Sequence, residues 1–156
     1  MKKIFIILIC IATVIITVLN LGISFDMKKK YPNYKGYFFD NNLTQKITNK
    51  EQIDRILSKN NNLSYEVLDK FNSYDDNYFN TKDLIVIYFP LDSGSINTEM
   101  KEVIIDNIIE VIISVETPEA GTDDKSGYIY FIELDKSDKV FRAYLEENDM
   151  KKEIID

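Results

Sequence analysis

The order of apolar and polar residues divides the chain into four regions. Ile4 to Phe25 is an unbroken apolar run with one strongly polar side chain, Asn20. Residues 26–37, DMKKKYPNYKGY, are polar and hold Pro32 and Gly36, which predicts a linker. From 38 to about 82 the pattern is mixed. YFFDNN (37–42) is a short aromatic strand candidate running into turn residues. Ile53, Ile56 and Leu57 recur at helical spacing behind Thr48-Asn49-Lys50-Glu51, so a helix is predicted over 49–59 with Thr48 and Glu51 as a reciprocal capping box. Residues 64–82 predict a short helix or turns, with Tyr74, Tyr78 and Phe79 docked on a sheet.

In the fourth region the period becomes two. LIVIYF (84–89) has no polar residue, so it predicts a strand covered on both faces. Val103 to Ile105 and Ile109 to Val115 alternate on either side of Asp106-Asn107, a hairpin signal. TPEAGTDDKSG (117–127) predicts a long loop. Residues 128–135 alternate again, DKSD reads as a turn, and 139–145 predicts a last strand before a charged, frayed tail at 146–156. Five or six strands, mostly linked as hairpins, with one or two helices before them, predict an α+β domain over 38–146. It would be built on a small antiparallel sheet, either a sandwich or a half-barrel.

The apolar run changes where such a domain should sit. At 1.5 Å per residue, 22 helical residues cross the roughly 30 Å hydrocarbon core. Residues 4–25 therefore predict a membrane partner, as an uncleaved anchor or as a signal segment cleaved near Ser24 after the Gly22-Ile23-Ser24 triplet. Lys2 and Lys3 precede the run and Lys28 to Lys30 follow it, so charge does not fix orientation. The short amino terminus favours a single pass with the remaining residues outside the cytoplasm, or secretion after cleavage. Heavy use of Ile, Asn and Lys with little Ala, Gly or Pro fits the codon bias of an AT-rich, Gram-positive source.

Composition then removes chemistry. Nineteen Lys and Arg stand against 26 Asp and Glu. The first 25 residues hold two of the lysines and no acid, which leaves the rest at −9. A chain this acidic without a basic stripe does not suit nucleic acid. There is no histidine, which excludes Ser-His-Asp and Cys-His catalysis and His-ligated zinc. Cys10 is the only cysteine, so no intrachain disulfide and no cysteine metal cluster can form. No cofactor or metal is expected.

Three stretches resemble sites and are read instead as loops. Asp92-Ser93-Gly94-Ser95 follows an apolar strand as an aspartic-protease carboxylate does, but that chemistry needs two carboxylates sharing a proton and the tripeptide Asp-Ser-Gly occurs once. DNNLTQKITNKE (40–51) has oxygen ligands at calcium-loop spacing, yet Gln45 stands where the sharp turn requires glycine. Glu116, Glu119, Asp123 and Asp124 could hold external calcium weakly and read first as a solvated turn. Asp92, Ser93, Ser95, Asp123 and Asp124 are the candidate binding residues, placed on loops 90–98 and 117–127.

From Tyr74 onward, YDDNYFNTKDLIVIY, SGSI, a hairpin, ETPEAGTDD and a closing strand resemble small exported proteins of clostridia and their relatives. The same segment is distantly similar to the C-terminal domain of the protease-complex subunit PrcB, with Pro118 and Gly121 matching its Pro-x-x-Gly segment; Ser93-Gly94-Ser95 stands where that family has a Gly-Gly pair. The resemblance spans about residues 45–136 and implies binding, not catalysis. The expected function is therefore a non-catalytic protein-binding domain outside the cytoplasm, contacting a partner through the two loops. The alternatives are a hydrolase using carboxylates alone and a structural envelope component.

Overall fold

A computed structural model describes residues 30–60 and 62–155. The apolar segment 4–25, with its anchor or cleavage alternatives, lies outside the described residues. Among the described residues no helix is long and apolar enough to cross a membrane. The folded unit begins at Tyr31.

Two four-stranded sheets form this unit. In chain order the elements are β1 (Asn33–Lys35), β2 (Leu43–Ile47), α1 (Lys50–Ser58), α2 (Tyr65–Asn72), a single 3-10 turn at Tyr78–Asn80, β3 (Lys82–Leu91), β4 (Asn97–Ile105), β5 (Ile109–Glu116), β6 (Ser126–Asp135), β7 (Phe141–Glu147) and β8 (Met150–Glu153). The first sheet has the order β1-β6-β3-β2 and the second β4-β5-β7-β8. An α+β architecture is observed, with two sheets, the first antiparallel throughout and the second mixed by one parallel pair.

The apolar run at 84–89 occupies the interior of the first sheet. β3 bonds to β6 over its full length, from Lys82↔Asp135 to Leu91↔Ser126, and to β2 on its other side. Both faces are buried, because alternate residues point to different layers. Leu84, Val86, Tyr88, Ile129 and Phe131 face the helices and pack with Ile53, Ile56, Val67 and Phe71. Phe131 is fully buried, with Phe71 edge-on at 4.9 Å and Tyr74 stacked at 6.3 Å. Tyr74 and Phe79 are buried in this core and Tyr78 packs against it, as the 64–82 segment predicted. On the opposite face Ile85, Ile87, Phe89, Tyr130 and Ile132 are buried too. Met100, Val111, Ile113 and Ala143 of the second sheet are buried as well, and the Thr98 hydroxyl meets the Tyr130 hydroxyl at 2.7 Å to join the two layers.

Several expectations are corrected. The helix cap sits one residue later than predicted. Asn49 Oδ1 accepts from the Gln52 amide at 3.1 Å, and Gln52 Oε1 accepts from the Thr48 amide at 2.7 Å, so Gln52 takes the role assigned to Glu51. Residues 37–42 are not a strand: Phe38 and Phe39 are buried in a turn against Tyr88, and the strand starts at Leu43. That strand runs through the centre of the calcium-loop pattern, so Thr44 and Lys46 lie on extended backbone. β3 runs past the predicted 84–89 through Pro90, which is tolerated because β2 reaches only Tyr88 and leaves one side of Pro90 free of the ladder. Asp106 to Ile108 form the hairpin turn, with the Asp106 amide donating to the Ile108 carbonyl at 3.1 Å.

The last third differs most. The predicted strand at 139–145 forms as β7, but pairs parallel to β5 in the second sheet, from Ile109↔Phe141 to Ser114↔Glu146. Residues 136–140 are therefore a crossover between sheets. The tail does not fray: β8 pairs with β7 through a turn at Asn148 and Asp149, whose φ angles of 50° and 63° suit short polar side chains. At the other end, residues 33–35 of the expected linker pair with Tyr128 to Tyr130 as β1.

Candidate functional site

Strand register brings the two predicted loops together. Leu91 pairs with Ser126, so the segments leaving β3 and entering β6 start side by side. Asn97 pairs with Glu116, so the same two segments meet the second sheet side by side. Residues 92–96 and 117–125 thus cross between the sheets at one end of the domain, forming a double ledge.

Hydroxyl groups join the two crossings. The Thr122 amide donates to Ser93 Oγ at 3.0 Å and to Ser95 Oγ at 3.1 Å. Thr122 Oγ1 lies 3.1 Å from Ser95 Oγ and 3.4 Å from Ser93 Oγ. Within the first loop, the Ser95 amide donates to Ser93 Oγ at 3.2 Å. The Gly94 amide donates to Asp124 Oδ1 at 3.3 Å, and Lys35 donates to the Gly94 carbonyl from β1. Two glycines permit this approach. A Cβ on Gly94 would lie 2.3 Å from Asp124 Oδ2, and one on Gly121 would lie 2.9 Å from Ser93 Oγ.

Three of the five candidate residues, Ser93, Ser95 and Asp124, therefore meet, and Thr122 is the member that sequence reasoning missed. Its signal was only that a hydroxyl residue lies beside Gly121 and Asp123. Asp92 and Asp123 are on the same ledge but exposed, and neither makes a hydrogen bond or ion pair among the described residues.

The electrostatics do not suit acid–base catalysis. The Thr122 hydroxyl and backbone amides, with Lys35 nearby, hold the Asp124 carboxyl below the usual range, so it stays ionised. A general base or acid needs a pKa near the operating pH. Ser93 Oγ accepts from two amides and contacts no base among the described residues. No group of three or more potential metal ligands occurs among the described residues. The exposed acids Asp92, Glu116, Glu119 and Asp123 form an open acidic rim, while Lys125 lies 6.0 Å over the Tyr37 ring.

No protein-family model, curated protein or solved structure matches the chain. The function is therefore argued from the geometry.

A second polar cluster went unnoticed in the sequence. Asp83 is 1% exposed at the start of β3. Lys46 Nζ lies 3.1 Å from Asp83 Oδ2, and the Ser137 amide donates to the same oxygen at 2.9 Å. Lys46 also donates to the carbonyls of Ser137 and Lys139. Asp83 Oδ1 is buried with no hydrogen-bond partner. This cluster fixes the 136–140 crossover at the end of the domain opposite the ledge, because Lys82 and Asp83 are the far end of β3 from Leu91.

Proposed function

We infer that this chain is a non-catalytic protein-binding domain, held outside the cytoplasm by its apolar amino-terminal segment or released after cleavage near Ser24. The observation that carries the reading is the hydroxyl lock between the crossings. Ser93, Ser95, Thr122 and Asp124 spend their hydrogen bonds on each other, which orders the ledge before any partner arrives. Preorganisation lowers the ordering entropy lost on association. The exposed rim is acidic, and complementary charge accelerates encounter and selects against like-charged partners. The partner is accordingly a protein with a basic face.

The resemblance to the PrcB C-terminal domain supports the same reading. Gly121 of its Pro-x-x-Gly segment is the residue whose missing side chain leaves room for Ser93. The test is co-purification of the full-length, detergent-solubilised protein, comparing wild type with the charge reversal Asp92→Lys with Asp123→Lys. The expected result is one stoichiometric partner, lost in the variant while the melting temperature holds. A partner retained by the variant removes the ledge from the interface. Turnover of a substrate abolished by alanine at Asp92, Asp123 and Asp124 would overturn the binding reading in favour of a carboxylate enzyme.

A further inference from the structure

A separate hollow of about 550 Å³ lies between α1, β2 and the turn at 39–42, and shares no lining residue with the ledge. That volume falls within the range of small-molecule sites, about 300–1,000 Å³. Two features define its chemistry.

The first is charge. Arg55 on α1 and Lys59, the residue that caps its carboxyl end, stand four positions apart and both line the hollow. Neither makes an ion pair among the described residues, although the chain as a whole is strongly acidic. One carboxylate, Asp40, also lines the hollow; it is exposed and accepts from the Tyr37 hydroxyl at 3.0 Å, so the two cations outnumber it, while Asp54 lies 3.5 Å from Lys50. Arg55 uses only Nε, on the Glu51 carbonyl at 3.4 Å. The carboxyl end of α1, which would repel an anion, is masked. The Lys59 and Asn60 amides and Asn60 Nδ2 all donate to the carbonyls of Ile56 and Leu57.

The second is the density of primary amides. Asn41, Asn42, Gln45 and Asn60 line the hollow beside the cations. A primary amide donates and accepts, which matches a hydroxyl group, itself both donor and acceptor. Asn42 and Asn60 are oriented by bonds of their own, Nδ2 to the Ile155 carbonyl at 2.9 Å and Nδ2 to the Ile56 carbonyl at 2.7 Å, which leaves their Oδ1 atoms to accept. Phe39, Leu43 and Ile56 supply an apolar floor.

We propose that this hollow binds an acidic saccharide, with Arg55 and Lys59 gripping the carboxylate and the amides reading the ring hydroxyls. No bond is made or broken; the site is a recognition site. The planar guanidinium suits a carboxylate by two parallel hydrogen bonds, and Lys59 adds a point charge.

The test is an amide chemical-shift titration of the full chain in detergent with three probes: glucuronate, glucose and acetate. Glucuronate is expected to shift Gln45, Arg55 and Asn60 saturably, with glucose and acetate each about tenfold weaker. Glucose binding as tightly as glucuronate overturns the role of the cations, and acetate binding as tightly overturns the role of the amides. No saturable shift with glucuronate overturns the site. Arg55→Gln with Lys59→Gln alters exposed positions and is expected to weaken glucuronate about tenfold to the level of glucose, to remove acetate binding and to leave glucose unchanged. Gln45→Leu, which leaves both cations in place, is expected to weaken glucuronate but not acetate. Unchanged glucuronate affinity in both variants also overturns the site.

Discussion

Lys46→Met isolates the energetics of the sheet-to-sheet crossover. Methionine keeps the stem of the lysine and removes the charge, so the space is largely filled and little cavity cost arises. What remains is the Asp83 carboxylate, 1% exposed, with the Ser137 amide as its sole donor. Removing one partner of a buried ion pair costs about 3–5 kcal/mol, because the surviving charge is neither solvated nor paired. Asp83→Asn is the control. The amide keeps the shape and can still accept from Ser137. The orphaned Lys46 side chain is 15% exposed and retains two carbonyl acceptors. That loss is about 1–2 kcal/mol. A domain of this size moves roughly 4 °C in melting temperature per kcal/mol. Lys46→Met is therefore expected to lower the midpoint by about 10–20 °C, and Asp83→Asn by about half that or less. Thermal unfolding followed by circular dichroism measures both. Equal losses, or a larger loss for Asp83→Asn, would refute the argument that the carboxylate is the costlier group to strand.

Three further outcomes follow from the packing and hydrogen bonding of the domain. Phe131→Ala removes a fully buried ring that packs on Phe71, Tyr74 and Tyr34, and is expected to cost about 3–5 kcal/mol, read as a shifted denaturant midpoint. Asp124 is held below its ordinary pKa, so its contribution to closing the ledge is complete above the unfolded-chain value of about 3.9 and fades as pH falls through the lower folded value. Protection of the Gly94 amide, its exchange rate taken relative to the intrinsic rate at each pH, should therefore fall only in acid, and a fall between neutral pH and about pH 5 would contradict the assignment. Burial raises the Tyr74 and Tyr130 hydroxyls above the usual value. Their stabilisation is intact below about pH 10 and is lost as pH rises. In an alkaline absorbance titration these two should ionise only together with unfolding.

The parts legible in the sequence were those set by local pattern. Alternation gave the hairpin of β4 and β5, an unbroken apolar run gave β3, and helical spacing gave α1. What the sequence hid depended on residues far apart in the chain. Nothing in DMKKKYPNYKGY signals that Asn33 to Lys35 will bond to Tyr128 to Tyr130. MKKE in β8 carries no apolar alternation because all four of its residues are exposed, although the Asn148-Asp149 pair was a readable turn signal. The parallel placement of β7 follows from the crossover, and the crossover is fixed by Lys46 and Asp83, two charges that hydropathy marks as surface. The ledge divides in the same way. Each loop was visible from its own Gly, Ser and Asp content, but their meeting is a consequence of Leu91↔Ser126 and Asn97↔Glu116 register.

The position of β6 has a consequence for biogenesis. Two neighbours, β1 and β3, wait for a strand that starts at Ser126, and Asn33 must find Tyr130 across nearly a hundred intervening residues. Topologies dominated by such distant pairings fold slowly. During synthesis the growing polypeptide has no finished layer to rest in until its last fifth has left the ribosome. A chain that stays open that long keeps the apolar strand β3 without its central neighbour until β6 arrives, which is the interval in which it is most exposed to mispairing.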